Sequence, residues 1–112
     1  MIRDAQRIEH MLNFVRRSLE ILDGVDQAEF LASIGLQEQV EVNMIHLGEA
    51  AARMSDELKE KHPDIPWHEM VGMRNILTHE YFRVKPAVLF ETIATQFSAL
   101  ERQLEELQVE YP

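Results

Sequence analysis

GMRNILTHEYF, residues 72 to 82, sets the polar group Arg74, Asn75, Thr78 and His79 inside a largely apolar, helix-like run. Arginine offers a planar fork of donors that matches a phosphodiester. Histidine can take or give a proton near neutral pH. Cleavage of RNA through attack by its own 2′-hydroxyl needs such a set: a base, an acid and a group that stabilises developing charge. On a helical wheel turning about 100° per residue, with Arg74 at zero, Thr78 falls near ~40°, Asn75 near ~100° and His79 near ~140°. Met70, Met73, Ile76 and Leu77 occupy the arc from roughly 200° to 320°. Arg74 and His79 can therefore converge on one ligand if Arg74 bends across or the helix ends near His79. A second copy of the helix would also serve. A two-fold dimer brings two arginines and two histidines to one isologous interface, so a homodimer with both pairs lining a shared cleft is expected. The R-x4-H spacing alone is common and equally describes the solvated face of an amphipathic helix.

The elements that must position this set are helical. Ile8, Met11, Leu12, Val15, Leu19 and Leu22 recur at helical spacing, and Gly24 follows as a stop. Asp26, with Glu29 three residues on, opens the short segment DQAEFLAS in the manner of a capping box. A long helix is expected from about Gly35 to Lys61, its inward stripe made of Leu36, Val40, Met44, Leu47, Ala51, Met54 and Leu58. HPDIPW breaks it, because Pro63 and Pro66 cannot continue a helix interior, and Pro66 suits the first turn of the next helix. A last helix runs from about Ala87 to Val109 on the repeat Val88, Ile93, Phe97, Leu100, Leu104 and Leu107. No stretch alternates with period two. The expected fold is all-α: an antiparallel bundle of four main helices plus a short extra one, in a single domain over residues 1–112.

The net charge of −9, from 20 acidic and 11 basic residues, argues against a broad electrostatic nucleic-acid binder and leaves room only for a locally basic site. Arg74, Arg83 and Lys85 outnumber Glu80 between positions 74 and 85, so a positive groove is conceivable there. Cysteine is absent, which removes disulfides and thiolate metal sites. MIRDAQRIEH reaches acidic residues at once without an apolar h-region, and no apolar run approaches the ~18–20 residues of a membrane span. A cytoplasmic protein without a membrane partner is expected.

Three segments in order, LGEAA, PDIPW and GMRNILTHEYFRV, make the chain similar to the HepT-like toxins of the HEPN superfamily. The likeness extends to the helix pattern over nearly the whole chain. It implies a HEPN-like helical bundle, dimeric, acting as a metal-independent endoribonuclease toxin of a prokaryotic type VII-like toxin–antitoxin system. The R-x4-H motif maps onto Arg74 and His79, with Asn75 at a frequent polar position beside the arginine and Thr78 on the same arc. Glu49, within LGEAA, is a candidate neighbour of the active site. The resemblance further implies a minimal nucleotidyltransferase antitoxin as partner. Using its own ATP and magnesium, with no cofactor on this chain, that partner would transfer AMP to Tyr81 of R-x4-H-x-Y, giving an O-AMP-tyrosine. Tyr81 returns to the side of Arg74, near ~340°, if the helical turn persists that far. The phosphodiester would then add bulk and negative charge beside the arginine that receives RNA phosphate.

Other candidates have plainer readings. His46 and Glu49 share a helix face but lack a third metal ligand, and HEYF lacks the second histidine of a zinc motif. His10, His62 and His68 read as surface residues, Trp67 as a core anchor, and LERQLEELQVEYP as a solvated helix face. The alternative function is a non-catalytic helical subunit that serves a nucleotidyltransferase.

Overall fold

The computed structural model describes residues 2–112, apart from the side chain of residue 2; Met1, the start of the MIRDAQRIEH segment, lies outside the described residues. Four long helices carry the architecture: α1 (Ile2–Leu22), α3 (Ile34–Arg53), α5 (Trp67–His79) and α6 (Pro86–Glu110). Two short ones, α2 (Gln27–Leu31) and α4 (Asp56–Lys61), fill connections, and a 3-10 turn at Tyr81–Arg83 joins α5 to α6. Among the described residues there is no strand, and the fold is the expected all-helical bundle. Helix α3 is the central element: it packs on both α1 and α5, while α1 also packs on α6 and α2 rests on α6 and α3.

One continuous apolar cluster holds these helices together. Ile8, Met11, Leu12 and Val15 from α1 meet Val40, Met44, Leu47 and Ala51 from α3 and the Leu89–Leu107 ridge of α6. Full burial of such a side chain contributes roughly 1.5–3 kcal/mol. The termini obey local rules. Gly24 adopts φ +72, a left-handed conformation costly for any side chain with a Cβ, and so ends the turn after α1. The Asp26 carboxylate accepts from the Glu29 amide at 2.8 Å, and Glu29 accepts from the Asp26 amide at 3.2 Å, completing the expected capping box.

Two expectations are corrected. The long helix does not run from Gly35 to Lys61; it stops at Arg53 and restarts at Asp56. Met54 and Ser55 take extended backbone angles, and the Ser55 hydroxyl caps α4 by accepting from the Leu58 amide at 3.3 Å. Asp4, buried in the first turn of α1, accepts from the Ser55 amide at 3.1 Å and from its hydroxyl at 2.6 Å. The break is thus stabilised by a distant carboxylate as well as by a local cap. In α6 the inward residue is Leu89, not Val88, which is exposed. Leu89 lies four residues before Ile93 and so joins its ridge; Val88 lies five before it and falls off the stripe.

The tail is more than a solvated face. Arg16 of α1 donates to Glu101 at 3.1 Å and to Glu105 at 2.7 Å, tying α1 to α6. These hydrogen bonds, Glu101 first, hold the Arg16 guanidinium above its ordinary pKa. His62 is half-buried rather than a surface residue: its Nε2 lies 3.2 Å from Glu110, and its carbonyl accepts from the Trp67 indole at 2.9 Å. Trp67 is a core anchor, as expected.

The Asp4–Ser55 contact yields a direct test. Asp4→Ala leaves the Ser55 amide and hydroxyl without their acceptor, so unfolding free energy should fall by about 2 kcal/mol, measured by urea denaturation. An unchanged midpoint would mean that the break is held by local capping alone.

Candidate functional site

The geometry of the site begins with a glycine. At Gly48 of α3, helix α5 approaches so closely that an added Cβ would collide with Cβ of Arg74 and lie 2.7 Å from the Met70 carbonyl oxygen. Glycine's lack of a side chain is what lets the two backbones meet. This contact sets the rotation of α5. Met70 and Leu77 face the core, Met73 is partly buried, and Ile76 is more than one-third exposed at 38%. The apolar arc read from the wheel is therefore rotated: its Ile76 edge faces out, and the Arg74 edge of the polar arc faces α3.

Glu49, the residue after that glycine, receives Arg74. Arg74 Nη1 donates to Glu49 Oε1 at 2.6 Å, a short charge-assisted bond on a guanidinium that is mostly buried. The other Glu49 oxygen lies 3.9 Å from Nε of Arg53, so one carboxylate stands between two arginines. Arg74 Nε is buried and has no hydrogen-bond partner among the described residues. Glu49, expected as a candidate neighbour of the active site, is thus in direct contact with Arg74.

His79 is the last residue of α5 and is exposed. Glu80 leaves the helix at φ −145 and ψ 45 while its amide still donates to the Ile76 carbonyl at 2.7 Å. The imidazole therefore projects from a helix end, one of the arrangements that lets Arg74 and His79 serve a common ligand. Asn75 and Thr78 are exposed on the same helix. Tyr81 begins the 3-10 turn, so its wheel position beside Arg74, which required the helix to continue, does not apply. Its ring is 68% exposed and meets Phe82 edge-on at 6.1 Å between centroids.

The positive groove between positions 74 and 85 is weaker than its residue count implies. Arg83 pairs with Glu80 at 3.1 Å and Arg74 with Glu49, leaving Lys85 as the unpaired cation of that stretch among the described residues. The open basic surface lies instead on the other side of Glu49, in a cleft of about 490 Å³ between α1 and α3. His10, assigned above to plain surface, lines it together with Arg3, Arg7 and Arg53. The reading from sequence missed both this cleft and Gly48. A signal for the cleft existed: Arg3, Arg7, His10 and Phe14 are spaced by four, three and four residues along one helix face. His46, also in the cleft, stacks on Phe14 at 5.2 Å and 22°. Among the described residues no group of three or more histidine or acidic side chains comes together in a way that could hold a metal ion. Among the described residues no helix is long and apolar enough to cross a membrane.

The family described as HepT-like (Ribonuclease HepT-like) matches over residues 11–107, which include Gly48, Glu49, Arg74, His79 and Tyr81. A candidate RNase of Caldanaerobacter subterraneus subsp. tengcongensis is 33% identical over 100 residues, 89% of each chain. A second candidate RNase, from Methanocaldococcus jannaschii, is 30% identical over 87 residues, 78% of this chain and 80% of its own. The "Probable ribonuclease HepT" of Thermococcus cleftensis is 39% identical over 62 residues, 55% of this chain and 56% of its own. No solved structure gives a significant match.

Gly48→Ala tests the premise of this geometry. Its methyl group must push α5 away from α3, so stability should fall by about 1–3 kcal/mol, read as a lower melting temperature. Unchanged melting would show that the two helices part without penalty.

Proposed function

The chain belongs to the HepT-like ribonuclease family, and on that footing we propose that it is a metal-independent endoribonuclease acting as a two-fold dimer. The observation that carries this reading is the placement of Arg74 and His79 on one short helix, with the arginine anchored at α3 and the histidine at the helix end. In this mechanism one protomer's His79 removes the proton from a 2′-hydroxyl. The freed oxygen attacks the adjacent phosphorus, and the second protomer's His79 protonates the departing 5′-oxygen. A 2′,3′-cyclic phosphate and a 5′-hydroxyl result. Arg74 stabilises the non-bridging oxygens. Glu49 holds its guanidinium in place until phosphate arrives, while Asn75 and Thr78 contact the flanking RNA.

The protein serves as the toxin of a pair, with a minimal nucleotidyltransferase as antitoxin in the same prokaryotic cytoplasm. The Tyr81 hydroxyl attacks the α-phosphorus of ATP held with magnesium by that partner, a phosphoester bond forms and pyrophosphate leaves. The exposure of Tyr81 supports this reading, because a modifying enzyme reaches the ring without unfolding the turn. Each AMP adds about one negative charge near the entry to the site and repels RNA phosphate. A second reading, a non-catalytic helical subunit of the nucleotidyltransferase, is favoured by one observation: Arg74 is already engaged by Glu49.

Expression of the protein alone separates the two. Wild-type chain should arrest growth and cleave RNA in the presence of EDTA, leaving 2′,3′-cyclic phosphate ends, whereas His79→Ala should lose at least ~100-fold in cleavage rate. Activity that vanishes with chelator and returns with a divalent ion defeats the metal-independent mechanism; equal activity in wild type and His79→Ala defeats the histidine assignment. For the switch, Tyr81→Phe should remain toxic but escape silencing by the partner. AMP found by mass spectrometry on the Phe variant at the wild-type level would place the acceptor elsewhere.

A further inference from the structure

We propose that the α1–α3 cleft is a subsite for the phosphodiester backbone of single-stranded RNA, extending the substrate path beyond Arg74. This deepens the ribonuclease reading, since it takes the substrate to be RNA. In a chain of net charge −9, three arginines and two histidines share this one cleft: Arg3, Arg7, Arg53, His10 and His46. Glu49 is the one carboxylate among the lining residues, and it already sits between Arg74 and Arg53. Arg7 also lies 3.9 Å from the buried Asp4, yet arginines outnumber carboxylates here, so an incoming polyanion meets an excess of cations, which favours sequence-independent backbone binding.

The cleft and the R-x4-H helix are physically continuous. Glu49 lines the cleft with one edge and grips Arg74 with its other oxygen, so a strand leaving Arg74 passes directly to Arg53. Contacts between α1 and α3 brace the back wall. Arg7 Nη1 donates to the Arg53 carbonyl, covering a carbonyl at the end of α3 that would otherwise face an anion. His46 is held flat on Phe14, whose ring also lies 5.5 Å from the Arg17 guanidinium, and so presents an imidazole of fixed orientation to the cleft. Arg3 and Arg53 are exposed and, among the described residues, hold no ion pair closer than the 3.9 Å between Arg53 and Glu49. These two guanidinium groups can close on phosphates.

The test measures binding rather than cleavage. A fluorescein-labelled, uncleavable 2′-O-methyl oligonucleotide of about 20 residues is titrated with intact protein by fluorescence anisotropy over a range of salt. Reversing both charges, Arg3→Glu with Arg53→Glu, should weaken binding about tenfold or more and make the log–log salt dependence shallower by about 1.4, the value for two lost phosphate contacts. The lysine pair, Arg3→Lys with Arg53→Lys, should keep most of the affinity; both variants should retain the wild-type melting temperature and elution volume. Affinity and salt slope unchanged by charge reversal overturn the subsite, as does a wild-type chain that does not bind the oligonucleotide. The result is separable from the catalytic reading. Cleft-dependent binding without any His79-dependent cleavage would leave the subsite standing and remove the nuclease. His79-dependent cleavage with binding indifferent to Arg3 and Arg53 would do the reverse.

Discussion

The close meeting of α3 and α5 at Gly48 is the constraint from which the rest of the site follows. It fixes the rotation of α5, and with it which side chains face the core and which face Glu49. Had the two helices been separated by an ordinary side chain, Arg74 would stand off from Glu49 and the apolar arc of α5 would turn differently. The remaining connections act at a distance to preserve this meeting. Asp4 holds the Ser55 break so that α3 ends where it does, and Arg16 ties α1 to the acidic end of α6.

That central contact also distributes charge. Glu49 neutralises Arg74 on one side and stands beside Arg53 on the other, while Glu80 neutralises Arg83. In so acidic a chain, the location of unpaired cations matters more than their number. Lys85 apart, the arginines that line an open cleft, Arg3, Arg7 and Arg53, lie on α1 and the last turn of α3 rather than beside His79. On the proposed function, chemistry and electrostatic attraction would be carried by different helices, joined through the Glu49 carboxylate.

Much of this was legible in the residue order, and the failures have specific causes. Periodicity located the long helices because burial of one stripe dominates their energetics. The capping box at Asp26 and the stop at Gly24 rest on local backbone chemistry and were equally readable. Ser55-Asp56-Glu57 is also a helix-start signal, a cap followed by acidic residues, but the unbroken stripe through Met54 and Leu58 concealed it. The partner that secures the break, Asp4, lies fifty-one positions away, and no local pattern encodes such a pairing. Gly48 was invisible for a related reason: a glycine in a helix reads as tolerated until its opposing backbone is known. The R-x4-H pair stands out in the sequence by residue type and spacing, yet the engagement of Arg74 by Glu49 depends on interhelical rotation, which a wheel for one helix does not contain.

The contact at Gly48 has an implication for how such chains diverge. Its nearest neighbours on α5 are Cβ and Cγ of Arg74 and the carbonyl of Met70, atoms that a lysine, glutamine or methionine at position 74 would also supply. Packing thus selects a glycine on one helix and an unbranched stem on the other, while remaining indifferent to the guanidinium itself. A substitution that removes the guanidinium but keeps such a stem would leave the two helices in register and change only what position 74 can offer a ligand.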